Sequence, residues 1–330
     1  MKILIVRFSS IGDIVLTTPV IRAIKQQMPE AEIHYLTKKP FVDLVKYNPH
    51  ISKIYYIEKS IDEVILPLVM EQYTFLVDLH KNLRTLQLKR KLKVPSKSFH
   101  KLNFKKWLYT QFKWNKLPNV HIVERYFKTV KKIGIQNDHL PCELFFTAEE
   151  TIHQVDGFDL NQSFLAFAVG SQFETKQIPL PKALSILEPI QTPIVLLGGE
   201  NDRAFGELVK AHFPEKKVMN TCGQYRILES ASIVSKASVL LTGDTGMMHI
   251  ASCYQIPIVS VWGNTTPAIG MYPYFPKESG TYQIFEVPDL PCRPCSKIGY
   301  HACPKKHFNC MELQDSVAIS KGLQKMMDKV

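Results

Sequence analysis

The chain has 330 residues, 45% hydrophobic and 22% charged, enough for two ordinary globular domains and unlike a disordered or fibrous composition. Its longest uninterrupted apolar stretch, Val64 to Met70, is far short of the roughly 20 residues a bilayer span needs. Lys and Arg number 41 against 30 Asp and Glu, but twelve of the basic residues lie between Lys81 and Lys116, where no acid occurs; the remainder balances at 29 against 30.

In chain order, short apolar runs alternate with longer helical patterns. Strands are predicted at Ile3 to Val6, Glu32 to Leu36, Lys53 to Ile57, Phe75 to Leu79, Phe164 to Val169, Ile194 to Leu197, Ser238 to Leu241 and Ile258 to Val261. Helices are predicted over 13–27, 41–47, 61–72, 82–92, 120–133, 181–190, 202–212, 227–236 and 245–254. The opening run, Met1 to Val6, meets Arg7 and Ser9-Ser10 too soon to be a signal-peptide core, so a cytoplasmic chain is expected. Nearly continuous apolar strands alternating with helices imply parallel sheets covered on both faces. The pattern runs through twice, interrupted by a polar stretch near Leu140 to Ser163. The expectation is an α/β chain of two doubly wound domains facing across a cleft, with ligands beyond the carboxyl ends of the strands.

Four loops after strands carry the chemistry. The first is Arg7-Phe8-Ser9-Ser10-Ile11-Gly12-Asp13. Gly12 permits a tight turn, and Asp13 sits at a helix start, where the dipole favours its charge. A plain helix cap is the bland reading of Asp13, but it leaves the crowding of two serines, a glycine and an arginine unexplained. The second loop, Gly170 to Lys176, offers Ser171, Thr175 and Lys176 as phosphate ligands, the lysine as a point charge. The third, Gly198-Gly199-Glu200-Asn201-Asp202, offers a carboxylate for a ribose hydroxyl, or equally a cap. In the fourth, Gly243-Asp244-Thr245-Gly246, a buried strand ends and a helix opens, so free backbone N–H groups make a diphosphate seat. His249 lies one turn in, either toward the ligand or as a hydrogen-bonded core histidine. No dinucleotide fingerprint or Walker loop occurs, which disfavours hydride transfer and NTP hydrolysis.

With these loops read, the sequence resembles the heptosyltransferase family of glycosyltransferases, which build the lipopolysaccharide inner core. The resemblance rests on Ile3 to Pro19 with Ser10, Gly12, Asp13 and Pro19, on the Lys176 loop, on Asn220 to Gly223, and on Asp244-Thr245-Gly246 with His249 and Ala251. It implies a GT-B fold: residues 1–155 as an acceptor-binding Rossmann-like domain, 156–312 as a nucleotide-sugar domain, and 313–330 as a helix crossing back to the first. It further implies an inverting transfer of heptose from a nucleotide-activated donor, typically ADP-heptose, to a lipid-linked oligosaccharide acceptor. On that resemblance Asp13 is the catalytic base, Lys176 the phosphate-binding lysine, Glu200 the ribose-binding acid, and Asp244, Thr245, Gly246 and His249 the donor motif.

The residue types suit such chemistry. Displacement at an anomeric carbon needs a base for the acceptor hydroxyl and stabilisation of the departing diphosphate. Asp13 can serve the first, and Lys176 with the amides at Thr245 and Gly246 the second. No Asp-x-Asp pair exists to clamp a divalent ion, so no cofactor is expected.

Two features stand apart. Cys292, Cys295, Cys303 and Cys310 cluster with His301 and His307, and the first pair has zinc-site spacing; the readings are a structural zinc or reduced, packed thiols. Cys142, Cys222 and Cys253 read as small core residues. The basic segment 81–116 also carries Phe99, Phe104, Trp107, Tyr109, Phe112 and Trp114. It suits an anionic membrane surface, with nucleic acid disfavoured, or else a Lys-rich helical loop whose aromatics are core. The chain is expected to sit peripherally on the cytoplasmic side of the inner membrane. The rivals are a non-catalytic module that binds lipid or nucleic acid through 81–116, and a GT-B sugar-nucleotide epimerase.

Overall fold

A computed structural model describes residues 1–328. They form two compact units, one of Met1–Leu102 with Val120–Phe145, the other of Asn103–Asn119 with the chain from Phe146 onward.

In the first unit β1 (Lys2–Val6), α1 (Ile11–Val15), α2 (Thr18–Gln27), β2 (Glu32–Lys38), α3 (Asp43–Lys46), β3 (Lys53–Ile57), α4 (Ile65–Met70), β4 (Phe75–Asp78), α5 (Leu83–Leu92) and β5 (Ser96–Ser98) follow in order. After α6 (Asn103–Phe112), which belongs to the second unit, α7 (Ile122–Phe127) returns. The five strands form a parallel sheet in the order β3-β2-β1-β4-β5. Ile3, Leu4, Ile5 and Val6 are fully buried, as a central strand covered on both faces requires. The order reverses between β1 and β4, so the loops after these two strands flank the unit's crevice.

The predicted helix over 13–27 is two helices. Thr17 Oγ1 donates to Ile14 O at 2.6 Å and Thr18 Oγ1 to Val15 O at 2.8 Å. These hydroxyls take carbonyls that a continuous helix would use, and Pro19 has no N–H to offer Val15. The first unit ends near Phe145 rather than at the expected 155 because Arg22 clamps the returning chain. Its guanidinium, almost fully buried, bonds Asp138 at 2.8 and 3.1 Å, Glu143 at 3.1 Å and the carbonyls of Leu140 and Pro141.

The second unit begins, beyond α6, with a small hairpin of β6 (Gln154–Val155) and β7 (Phe158–Asp159). Then come β8 (Leu165–Ala168), α8 (Leu180–Leu187), β9 (Ile194–Leu197), α9 (Arg203–His212), β10 (Val218–Asn220), α10 (Ile227–Val234), β11 (Val239–Thr242), α11 (Gly246–Cys253), β12 (Ile258–Trp262), β13 (Tyr282–Glu286), α12 (Asn309–Glu312) and α13 (Ser316–Met327). Its six strands are parallel in the order β10-β9-β8-β11-β12-β13, with the reversal between β8 and β11.

α13, which lies in the segment expected to cross to the first domain, packs on the second unit's own sheet. Ile319, Leu323 and Met326 recur at helical spacing and join a core with Leu187, Val239 and Val259. Ser320 Oγ donates to Ile186 O at 2.7 Å. The last two residues of the expected 313–330 segment lie outside the described residues.

Candidate active site

In the first unit Asp13 lies in α1, at the carboxyl edge of β1. Arg7 Nη2 donates to Asp13 Oδ1 at 2.7 Å, while Ser10 Oγ at 3.0 Å and Ser10 N at 3.4 Å donate to Oδ2. Arg7 is anchored in turn: its Nε donates to Ser9 O at 2.7 Å and its Nη1 to Leu79 O at 2.5 Å. It thereby ties the loop after β1 to the loop after β4. Burial opposes the guanidinium charge, but Asp13, Tyr126 and Tyr35 more than offset it and the pKa of Arg7 stays raised. Asp13 is thus more than a cap, and its carboxylate keeps a partly exposed side. Gly12 is buried beneath the turn, and Ser10 is exposed at its tip.

The loop after β4 supplies a residue that sequence reading passed over. His80 is half-buried, edge-on to Phe8 with ring centroids 5.2 Å apart, and its Nδ1, itself buried, has no hydrogen-bond partner. Burial, then Arg7 and Lys101, push the imidazole down to about 3, so it stays neutral at physiological pH. Asp78, fully buried at the end of β4, fixes this loop: its carboxylate accepts from the amides of His80 and Lys81, from Ser98 Oγ and from Lys89. Burial alone would raise the Asp78 pKa; the Lys81 amide and the other donors hold it below the usual carboxylate value.

In the second unit the expected donor loops come together at the carboxyl edge. Lys176 Nζ lies 2.7 Å from Asp244 Oδ2, which also accepts from Thr265 Oγ1 at 2.9 Å. Both members of the ion pair retain a small exposure, 16% and 14%. A Cβ on Gly243 would lie 2.2 Å from Lys176 O, so only glycine lets these two loops approach so closely. Thr245 is the N-cap of α11 and makes no side-chain cap bond; its hydroxyl pairs with Thr242 Oγ1 at 2.9 Å. The first amides of α11 are therefore left without a side-chain cap, directly beyond the strand.

The remaining predicted residues divide. Ser171 Oγ accepts from Phe173 N at 3.4 Å, within the same loop. Thr175 is buried, its hydroxyl engaged at 2.8 Å with both the carbonyl and the amide of Tyr300. Glu200 is exposed and pairs with Arg203 at 3.0 Å. His249 is 2% exposed in the first turn of α11, inside the unit and not on its surface.

Asn264 is a second missed residue. Only 2% exposed, it follows β12 beside Thr265, and neither its Oδ1 nor its Nδ2 has a partner. Its backbone carbonyl accepts from the amides of Cys295 and Ser296. Nothing in a lone Asn after an apolar strand distinguishes it from a turn residue, which is why the sequence did not flag it.

All seven cysteines are free thiols. Cys295 Sγ donates to Cys292 O at 2.9 Å, and Cys292 Sγ lies 3.8 Å from His307 Nε2. Burial first, then the neighbouring thiols, push Cys295 up to about 11 and Cys310 to about 12. Among the described residues the set of three potential ligand atoms mutually within 4.8 Å is Glu32, His34 and Glu71, not the cysteines. Lys2 and Lys53 each donate to Glu71 at 2.7 Å and neutralise that acidic set.

Two doubly wound parallel sheets with loops gathered at their carboxyl edges define the GT-B class of glycosyltransferases. Residues 64–300 match glycosyltransferase family 9 (heptosyltransferase), and the chain belongs to that family. It is 21% identical over 275 residues to lipopolysaccharide heptosyltransferase 3 of Escherichia coli, covering 77% of this chain and 80% of the relative. Among solved structures it is similar to a family 9 glycosyltransferase of Veillonella parvula, with a TM-score of 0.79, 18% identity and coverage of 100% and 98%. It is also similar to ADP-heptose lps heptosyltransferase II of E. coli, with a TM-score of 0.72, 16% identity and coverage of 100% and 99%. No helix among the described residues is long and apolar enough to cross a membrane.

Proposed function

We propose that the protein transfers a heptosyl group from ADP-heptose to the lipopolysaccharide inner core, with inversion at the anomeric carbon. The observation that carries the reading is the second unit's constellation: Lys176 beside Asp244 at 2.7 Å, next to the uncapped start of α11. A diphosphate seated there meets backbone N–H groups and a point charge where negative charge grows as the bond to the sugar breaks. Lys176 and the Thr245 and Gly246 amides supply that charge in this reading, and no divalent ion takes part. ADP-heptose as donor is supported by the likeness to the ADP-heptose lps heptosyltransferase II of E. coli.

Asp13 acts as the base. Its oxygens are oriented by Arg7 and Ser10, so the carboxylate presents one geometry to an acceptor hydroxyl. Transfer then removes the hydroxyl proton to Asp13 as the acceptor oxygen attacks the anomeric carbon and ADP departs. The acceptor is lipid-linked, so the enzyme works at the cytoplasmic face of the inner membrane.

The test is ADP release from ADP-heptose with a lipid-linked core acceptor, run in EDTA, with the product's anomeric configuration read by NMR. Acceptor-dependent release with inversion is expected, reduced in Asp13→Ala. Equal release by both proteins removes Asp13 as base. Release without acceptor favours the epimerase, and absence of turnover favours the binding module.

A further inference from the structure

The largest feature that the transfer reaction leaves unused is on α6. Phe104, Trp107, Phe112 and Trp114 are exposed by 69, 49, 51 and 61%. They are not scattered: ring centroids run Phe104 to Trp107 at 6.0 Å, Trp107 to Phe112 at 5.4 Å and Phe112 to Trp114 at 5.6 Å. Four large rings thus form one continuous apolar strip. Of the basic segment's aromatics, Phe99 is the one that packs as core. Contiguous apolar surface of this kind marks a docking site.

The strip is held in shape. Lys113, at φ 62°, reverses the chain after α6 and brings Trp114 back beside Phe112. Its ammonium turns inward, donating to the carbonyls of Thr110, Cys292 and Pro294 at 2.7, 3.0 and 2.9 Å, so the turn is tied to the cysteine loop of the same unit. Lys113 is therefore not one of the cations offered outward, whereas Lys105 and Lys116 are exposed. No acid occurs anywhere between Lys81 and Lys116 to repel a negative surface.

We propose that α6 and the turn after it are an in-plane anchor that seats the protein on a bilayer carrying anionic phospholipid. The four rings lie at headgroup depth, and Lys105 and Lys116 meet the phosphates. At ten residues α6 is about 15 Å long, half a bilayer core, so it lies along the surface. Rings at the interface and lysines snorkelling to headgroups are the chemistry of such helices. Single-stranded nucleic acid fits less well, because it stacks bases on open ring faces, whereas Phe104 and Trp107 already stack on each other at 24°. The choice of a membrane partner rests on the lipid-linked acceptor proposed above; the strip itself does not.

The chain's tryptophans make the test direct, since Trp107 and Trp114 are exposed and Trp262 is 1% exposed. Full-length protein is mixed with phosphatidylglycerol-containing vesicles whose acyl chains are brominated. Blue-shifted, quenched emission is expected, with no quenching in Trp107→Phe/Trp114→Phe, which still co-sediments. Trp107→Ser/Phe112→Ser loses co-sedimentation while the near-UV signal of Trp262 and the melting temperature stay as in the parent. Lys105→Ala/Lys116→Ala weakens partitioning about 30-fold, roughly fivefold per lysine. Unquenched emission, equal binding to purely zwitterionic vesicles, or binding to RNA in place of vesicles would overturn the proposal. Transfer to a delipidated, water-soluble acceptor, assayed in parallel, tests the catalytic reading separately.

Discussion

Arg7 Nη2 lies 2.7 Å from Asp13 Oδ1, and the arginine is so deeply buried that it has no alternative partner in solvent. Asp13→Asn keeps the shape and removes the proposed base, so kcat should fall about 100- to 10,000-fold; it also leaves the buried Arg7 guanidinium without its counter-charge and should cost about 3–5 kcal/mol in denaturant unfolding. Arg7→Met leaves Asp13 without its charge partner and the loops after β1 and β4 untied. It should cost about 3–5 kcal/mol in denaturant unfolding and lower kcat through misorientation. A stable Arg7→Met protein with parental kcat would show that the pair plays no part in orienting the base.

Lys176→Ala removes the charge proposed to face the departing diphosphate and leaves Asp244 without its ion-pair partner. We expect kcat/KM to fall by about two to three orders of magnitude, and ADP affinity to fall in calorimetry, because Asp244 then faces the phosphates unneutralised. Unchanged ADP binding would move the seat away from the loop after β8.

How much of this was legible in the sequence depended on burial. All eight apolar runs became strands; seven are central strands, which must be apolar throughout because both faces are covered, and the eighth, β3, is an edge strand with Lys53 and Tyr56 exposed. The three sheet strands that escaped, β5, β10 and β13, are at sheet edges. β5 and β13 carry Ser-Lys-Ser and Tyr-Gln-Ile-Phe-Glu, partly open to solvent, whereas β10, Val-Met-Asn, is buried but only three residues long. Loops after central strands pointed to Asp13, Lys176 and Asp244 because turn glycines and helix starts have fixed chemistry. His80 and Asn264 carried no such signature; what sets them apart is an unpaired nitrogen or carboxamide in a buried place, which only packing reveals. The end of the first unit near Phe145 has a related cause: Arg22 reaches 116 residues ahead to Asp138, a pairing no local pattern contains.

Asn264 gives a prediction of opposite sign in stability and function. Its buried carboxamide has no partner, a state that costs about 1–3 kcal/mol when unrelieved. If the carboxamide serves the donor site beside Asp244 and Thr265, Asn264→Leu should raise the melting temperature while weakening ADP-heptose binding at least tenfold. A variant that is less stable and fully active would make Asn264 a structural residue.

The last prediction concerns acid. His80 is held down to about 3 in the folded protein by burial, Arg7 and Lys101, with Asp13 and Asp78 opposing weakly. Its unfolded value is near 6.5. Between those two values the unfolded chain binds a proton that the folded chain refuses, so lowering the pH favours unfolding. The loss begins as the pH drops through about 6.5 and reaches at most about 2 kcal/mol by pH 5, at 1.36 kcal/mol per pH unit. Asp78, whose folded value is depressed, contributes stability that is present above about pH 4 and fades only below it, so it leaves this window clear. Denaturant titrations at pH 7 and pH 5 should therefore show a smaller drop in His80→Gln than in the parent. An identical drop in the two proteins would mean that His80 accepts its proton in place, and that the loop after β4 opens to water well above pH 3.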